Sequence, residues 1–339
     1  MNQGADSPRE IPFDFRGQGL EYFRIWIVNI LLTILTLGIY SAWAKVRNQK
    51  YFYNHMYLDG HNFDYLADPV RILIGRVIAL GVFLLMVGVA QFFPLWGGLA
   101  LILTMLLVFP WIILASLRFR NRYSAYKNIR FDFHGSYSGC MVAFMLWPAL
   151  GILTLGLLLP LAWYKMRAYI VENSTYGVSA FEFDATAGDY YLMSLKLIGF
   201  TLLATFAIGG AIAGIGLVWP TINILAPFAG IFIYLFLFAY FNQVNQNLQW
   251  NNTGLRTNSF ASELKTGELV SLYFVNALLL LVTLGLAFPL VKVRIARYFA
   301  SRVSLVAQEN LDNFIAGEQE QVSAIGQEVG DFLDFDIGL

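Results

Sequence analysis

Thr36-Leu37-Gly38-Ile39-Tyr40-Ser41-Ala42-Trp43-Ala44-Lys45-Val46-Arg47 closes an apolar run and begins a basic segment. Its first three residues recur as Thr154-Leu155-Gly156 and Thr283-Leu284-Gly285, each time at the end of an apolar run. A phenylalanine, Phe13, Phe131 or Phe260, precedes each threonine at the same distance. The period of roughly 120 residues exceeds the 20 to 50 of solenoid repeats, so we interpret it as repetition of a whole membrane bundle.

The first and third copies match over a longer stretch than the tripeptide. Glutamate, asparagine and a Lys-x-Arg pair occupy equivalent positions in the first and third copies. The second copy also has a Lys-x-Arg pair, but it is displaced by two residues. The matched residues are Glu21 and Glu268, Asn29 and Asn276, Lys45 and Arg47 with Lys292 and Arg294, and in the second copy Lys165 and Arg167.

The composition indicates a multi-pass membrane protein. Hydrophobic residues make up 58% of the chain, charged residues 13%, and the mean hydropathy is +0.60. Two long stretches without formal charge, 77–117 and 197–255, each have room for two crossings of about 20 residues. We therefore expect transmembrane hairpins near 72–117 and 197–241.

The three apolar runs that end in Thr-Leu-Gly, which we call TLG runs, permit two membrane topologies. Each apolar run is long enough to span, but spanning would divide the basic residues between both membrane faces. If each run enters and leaves on one side, all Lys and Arg lie on one face, which the positive-inside rule makes cytoplasmic together with both termini. Glycine is common at the helix C′ position, and Pro160 and Pro289 cannot continue an established helical ladder. The predicted helix-break residues are Thr36, Gly38, Thr154, Gly156, Thr283 and Gly285.

The polar loops have the chemistry of short strands. Asp59-Gly60 lies between alternating aromatic residues in 57–65, which is a β-hairpin signal, and 175–184 offers a counterpart. The predicted fold class is an all-α integral membrane bundle with two full copies, a third partial copy and small cytoplasmic β-hairpins. The expected units are a polar tail 1–12, repeat 13–130 (TLG element 20–44), repeat 131–259 (TLG element 140–164), partial repeat 260–302 (TLG element 268–291) and an acidic tail 303–339.

These residues carry a resemblance to a known family. The Phe-x-Phe-x-Gly openings at Phe13 and Phe131, the run 36–47, and Tyr51-Phe52 with the aromatic hairpin resemble the YjgN family of bacterial inner-membrane proteins. The resemblance covers about 13–302 and implies a multi-pass inner-membrane location and a repeated domain of unknown function. It supplies no catalytic residues to carry over, and the third copy departs from it by lacking a transmembrane hairpin.

Enzyme chemistry has little support in the sequence. Gly135-Ser136-Tyr137-Ser138-Gly139 places tyrosine where a nucleophile elbow needs serine. His55, Asp59 and His61 are too few for a convincing zinc site. We expect no enzyme activity, metal or cofactor.

Two sets of residues are predicted to bind a ligand. The Lys-x-Arg pairs Lys45/Arg47, Lys165/Arg167 and Lys292/Arg294 are each followed by a tyrosine, and they suit either interfacial anchoring or anionic lipid head groups. Asn29 and Asn276 lie within apolar runs, where amides normally face a bundle interior or cavity.

Two functions follow from these sets. One is a transporter or channel for a small or anionic solute or lipid; the other is a non-transporting scaffold or lipid-binding module. A continuous polar cavity lined by Asn29, Asn276 and the TLG breaks would favour transport. The expected partners are membrane lipids, with a homo-oligomer left open and no nucleic acid.

Overall fold

A computed structural model of the protein describes residues 9–92, 94–308, 311 and 314–322. Within these residues ten short strands form one closed antiparallel barrel, and five helical hairpins are inserted between the strands. The expected all-α bundle with isolated β-hairpins is therefore wrong, because the polar loops pair with one another into a single closed sheet.

The strands are three to seven residues long and follow the order β1-β10-β9-β8-β7-β6-β5-β4-β3-β2 around the barrel. They are β1 (Arg9–Phe15), β2 (Met56–Leu58), β3 (His61–Tyr65), β4 (Ser124–Tyr126), β5 (Ile129–Phe133), β6 (Ser174–Tyr176), β7 (Ser179–Phe183), β8 (Thr253–Leu255), β9 (Asn258–Ser262) and β10 (Val303–Ala307).

Each helical hairpin connects two neighbouring strands. The hairpins are α1 (Gly19–Leu35) with α2 (Ser41–Asn54), α3 (Pro69–Phe92) with α4 (Pro94–Arg122), α5 (Tyr137–Met141) and α6 (Trp147–Leu153) with α7 (Leu159–Glu172), α8 (Ala187–Ala204) and α9 (Gly210–Gly216) with α10 (Ala226–Asn251), and α11 (Thr266–Val282) with α12 (Phe288–Ala300). Two π-helical segments, Val142–Leu146 and Thr205–Gly209, continue α5 into α6 and α8 into α9, and a 3₁₀ segment, Pro220–Leu225, precedes α10.

The strand register places all five hairpins at one end of the barrel. Phe15, which leads into α1, is paired with Met56, which follows α2, and the corresponding ends of the other strands pair in the same way. We call this the helix end. The tight turns, such as Asp59-Gly60, lie at the opposite end, which we call the turn end. Every helical hairpin therefore leaves and returns on the same side of the barrel.

Among the described residues, four helical segments are long and apolar enough to cross a membrane: Pro69–Val89, Leu103–Arg122, Ala187–Gly216 and Pro220–Asn251. They lie in the second and fourth hairpins, over the stretches predicted as 72–117 and 197–241. Residue 93, between α3 and α4, is outside the described residues.

The TLG residues form the tips of the other three hairpins. In the first copy Gly38 donates its N–H to the Thr33 carbonyl at 2.8 Å and Leu37 donates to Ile34 at 3.1 Å, which is a Schellman ending. Both Leu37 (φ 48°) and Gly38 (φ 93°) are left-handed. The C′ residue is thus leucine, and the glycine that we expected there follows it. The same pair is left-handed in the other copies, at Leu155 (φ 53°), Gly156 (φ 95°), Leu284 (φ 49°) and Gly285 (φ 87°).

The threonine of each tip connects the two helices. The Thr36 hydroxyl donates to the Leu32 carbonyl at 2.7 Å and accepts from the Tyr40 N–H at 2.9 Å. Thr154 and Thr283 make the equivalent pairs of hydrogen bonds. Backbone groups freed by the break are thereby satisfied inside the tip, as an apolar environment requires. The tip leucines are the most exposed large apolar residues, at 92% to 96%.

The predicted acidic tail begins with ordered structure. Residues 303–307 form β10, which pairs with β9 on one side and with β1 on the other. Residues 314–322 form a helix, which we call the C-terminal helix, and 323–339 lie outside the described residues.

Candidate functional site

Two adjacent cavities lie where the helices join the barrel. The first, about 300 Å³, runs through the barrel lumen, and the second, about 410 Å³, lies beside it between helices. Both are lined by Phe13, Phe63 and Trp250, and we call them together the central cavity. Their volumes are in the range of small-molecule pockets.

The last turns of the returning helices supply the upper wall of the central cavity. Each of these helices ends just before a strand and contributes two consecutive residues. The pairs are Phe52 and Tyr53 on α2, Arg120 and Asn121 on α4, Ile170 and Val171 on α7, Gln249 and Trp250 on α10, and Phe299 and Ala300 on α12.

The wall of the central cavity is mainly apolar with a few polar side chains. Arg120, Asn121 and Gln249 line the first cavity, whereas Phe52, Phe299 and Gln246 line the second. The Gln249 Oε1 atom is buried and has no hydrogen-bond partner within the described residues. A buried acceptor of this kind is costly unless a ligand or water donates to it. The cavity thus offers an apolar chamber with a small number of polar side chains on its wall.

A ring of phenylalanines lines the barrel lumen below this wall. One comes from each pair of strands: Phe13, Phe63, Phe131, Phe181 and Phe260. Neighbouring ring centroids are separated by 6.1 Å for Phe13 and Phe63 and 6.3 Å for Phe131 and Phe181, which are normal aromatic contacts. Such a lumen favours an apolar ligand and opposes hydrated ions.

Arg120 lines the first cavity, and Arg167, on the next hairpin, lies near Arg120 but lines neither cavity. Arg120 is exposed and lines the cavity, while Arg167, outside the four candidate spans, is half-buried. Burial above all lowers the pKa of Arg167, the positive charge of Arg120 lowers it further, and Tyr190 opposes the change. Neither guanidinium pairs with a carboxylate in the described part of the chain. Two unpaired neighbouring cations make a favourable place for an anionic group.

The other predicted cations do not reach the central cavity. Lys45, Arg47 and Lys292 are exposed on α2 and α12, and Arg294 is half-buried on α12. Lys165 lines a separate cavity of about 470 Å³ between the helices of the third hairpin. Of the six predicted Lys and Arg residues, Arg167 alone adjoins a residue that lines the central cavity, as far as the described residues show.

The tyrosines that follow the Lys-x-Arg pairs hold the two helices of a hairpin together. Each hydroxyl bonds to the backbone of the residue before the hairpin's first helix and so joins the two helices at their base. The pairs are Tyr51 with Gln18 at 2.8 Å, Tyr169 with Ser136 at 2.7 Å and Tyr298 with Lys265 at 3.2 Å.

Asn29 and Asn276 are buried but lie away from the central cavity. The Asn29 amide donates to the Asn48 side chain at 3.0 Å, and its own Oδ1 has no partner among the described residues. Both side-chain polar atoms of Asn276 are also unpartnered there. Neither residue lines either cavity. A shared polar site for the two amides stays a prediction.

A repeated spacing in the sequence marks residues of the barrel interior. Leucine or tyrosine precedes phenylalanine by the same spacing in four strand pairs: Leu58 and Phe63, Tyr126 and Phe131, Tyr176 and Phe181, Leu255 and Phe260. Of these four phenylalanines, only Phe131 and Phe260 also have the fixed distance to a Thr-Leu-Gly threonine that drew attention to the repeat. Arg120 and Gln249 were missed because nothing local distinguishes them from other helix-end polar residues.

Comparison with known proteins was made by sequence and by structure. Residues 10–332 match a family described as "Bacterial protein of unknown function (DUF898)". "Inner membrane protein YjgN" of Escherichia coli strain K12 is 34% identical over 129 residues, which are 38% of this chain and 32% of that protein. The protein of the same description from Salmonella typhimurium strain LT2 is 28% identical over 122 residues, 36% of this chain and 31% of its own length. No solved structure matches the chain.

These matches confirm the resemblance to the YjgN family, and with the apolar helices they identify a membrane protein. Each alignment spans about a third of the curated relative.

Proposed function

We propose that this chain, which belongs to the DUF898 family of bacterial proteins, binds an anionic amphiphile such as a membrane lipid in its central cavity. The observation that carries the proposal is an apolar chamber with the unpaired Arg120 guanidinium on its lining and Arg167 near Arg120. An acyl chain would lie against Phe63 and Trp250, and the anionic head group would lie beside Arg120 and Arg167.

The position of the cavity suits a ligand that arrives from the membrane. We infer that the bilayer surrounds the five helical hairpins, since the tips of three carry leucines more than 90% exposed and the other two contain the four candidate spans. The barrel would then lie on the cytoplasmic side, with both termini, in accord with the positive-inside rule. In this arrangement the central cavity is at the level of the head groups, where a lipid could enter it without crossing the bilayer.

Single cysteines test this orientation. His61, at the turn end, and Lys265, at the helix end, are both exposed. His61→Cys and Lys265→Cys should resist an impermeant maleimide in intact cells and react after the inner membrane is opened. Reaction of either cysteine in intact, inner-membrane-sealed spheroplasts would contradict the orientation.

A binding assay tests the ligand. Purified protein in nanodiscs should bind a fluorescent anionic phospholipid more tightly than its zwitterionic counterpart. Arg167→Gln should reduce that preference roughly fivefold, on the basis of about 1 kcal/mol for a cation near an anionic head group. Arg47→Gln is the matched control, because Arg47 occupies the same place in its Lys-x-Arg pair but is exposed and away from the cavity.

A second variant tests the chamber itself. Phe63→Trp adds volume to a side chain that lines both cavities and should weaken binding of either lipid. Binding that is unchanged in both Arg167→Gln and Phe63→Trp would overturn the proposal. Transport, the other expectation, has no comparable support, because aromatic rings line the lumen and neither Asn29 nor Asn276 lines the central cavity.

A further inference from the structure

The chain closes its own barrel at the turn end. Leu311, Phe314 and Ile315 are buried in the same apolar cluster as the lumen residues and line the first cavity. The ring of Phe314 stacks on Tyr176 with centroids 6.3 Å apart. These three side chains form the floor of the lumen, opposite the wall made by the returning helices.

One carboxylate fixes the C-terminal helix to the barrel. Glu318 has no exposed surface, although it is an acidic residue on a surface helix. It accepts from the Val178 N–H at 2.9 Å and from the Ser179 hydroxyl, and it pairs with Arg256 at 3.2 Å. Its partners therefore come from two neighbouring turns of the barrel. A buried charge needs such partners, and losing them leaves it uncompensated.

The turn beneath Glu318 is shaped for it. Gly177 is left-handed (φ 59°), and a Cβ at this position would come within 2.6 Å of the Glu318 carboxylate. Glycine at this turn thus leaves space that the carboxylate occupies.

The remaining contacts of the C-terminal helix are peripheral. Gln319 donates to the Lys127 carbonyl at 3.0 Å, and Arg256 donates to Gln321 at 3.2 Å, both at exposed side chains. The backbone of the described part of this helix makes no hydrogen bond to a strand. The helix can therefore leave the barrel without breaking the sheet, provided that the Glu318 contacts are released and the three apolar side chains leave the lumen.

We propose that residues 311 and 314–322 belong to a displaceable plug, latched by Glu318, that closes the barrel lumen at the turn end. Release of the latch opens the lumen to the solvent on that side. The proposal deepens the proposed function, since it describes how access to the central cavity is controlled, but its test needs no bound lipid.

Cysteine accessibility measures the plug directly. Ile11→Cys places a thiol at a residue 4% exposed, in the cluster that the plug covers. In this background Glu318→Ala should raise the rate of maleimide labelling at position 11 at least tenfold, and Arg256→Gln should raise it in the same direction. Glu320→Gln is the matched control, because Glu320 is exposed on the same helix.

The native cysteine distinguishes plug release from unfolding. Cys140 has no exposed surface and lies in α5, away from the turn end. Labelling at each position is followed by mass spectrometry of the peptides. We expect position 11 to become reactive while Cys140 stays protected. Unchanged labelling at position 11 in both latch variants, or equal acceleration at position 11 and Cys140, would overturn the proposal.

Discussion

Replacing the glycine of any hairpin tip by alanine should destabilise the protein. Gly38, Gly156 and Gly285 have φ values of 93°, 95° and 87°, a region that residues with a Cβ rarely adopt. An added Cβ would meet nothing within 4 Å at Gly38 or Gly285, and only a Leu159 methyl at 3.7 Å beside Gly156. The substitution therefore measures backbone strain with little contribution from packing.

The expected cost is about 1–2 kcal/mol for each variant, the usual penalty of a left-handed residue with a side chain. For a chain of this size that corresponds to a decrease in Tm on the order of 2–4 °C. The three tips lie in separate hairpins, so the effects should add in the triple variant.

The Tm of each variant is measured from tryptophan fluorescence during heating, with all variants in the same detergent. Gly230→Ala is the control, because Gly230 is an exposed residue within α10 and a Cβ there also meets nothing within 4 Å. Alanine in a continuous helix should stabilise by up to about 1 kcal/mol. If all three tip variants raise the Tm as the control does, the tips are unbroken helix and the hairpin geometry is wrong.

Three other predictions follow from the tips and the barrel. Thr154→Val should destabilise by about 1–2 kcal/mol in thermal unfolding, because it removes hydrogen bonds to Leu150 and Leu158, and Thr154→Ser should restore most of the loss. In vesicles, the fluorescence of Leu37→Trp should be quenched by lipids brominated on the acyl chain, measured against the protein without the substitution; equal quenching in both would contradict a membrane-embedded tip. Burial raises the pKa of Tyr176, so stability should fall as the pH rises above about 10, where the unfolded tyrosine ionises first. Denaturant titrations at pH 9 and 11 should show a smaller loss in Tyr176→Phe.

The parts of the fold that local chemistry determines were accessible from the sequence. Thr-Leu-Gly at the end of an apolar run predicts a helix break, and the backbone at Gly38 is left-handed. Asp59-Gly60 between aromatic residues predicts a tight hairpin, and β2 and β3 pair across it. Each of these features needs only a few consecutive residues.

The closed barrel could not be predicted in the same way. Its strands have only three to seven residues, too short for a strong alternation signal, and helical hairpins separate them. The turns at Lys127-Asn128 and Arg256-Thr257 lack the Asp-Gly or Asn-Gly signature of a hairpin. The pairing of Arg9 with Ala307 joins residues from opposite ends of the chain, which no local pattern reports.

The candidate site was only partly predictable, because its residues come from separate helices that meet only in the folded protein. Arg167 was singled out by its Lys-x-Arg spacing, but the same spacing selected five cations that lie elsewhere. Pairing of β5 with both β4 and β6 brings the ends of α4 and α7 together, so the relation between Arg120 and Arg167 depends on the three-dimensional structure.

The pairing of β1 with β10 has a consequence for biosynthesis. A ribosome delivers β1 early, yet its partner β10 emerges after all five hairpins, so the barrel stays open at one seam throughout translation. During that interval β1 and β9 each present an unpaired edge, which is prone to associate with other chains. Chains that stop before Val303 would keep both edges exposed, because β10 alone covers the edges of β1 and β9 at the same time.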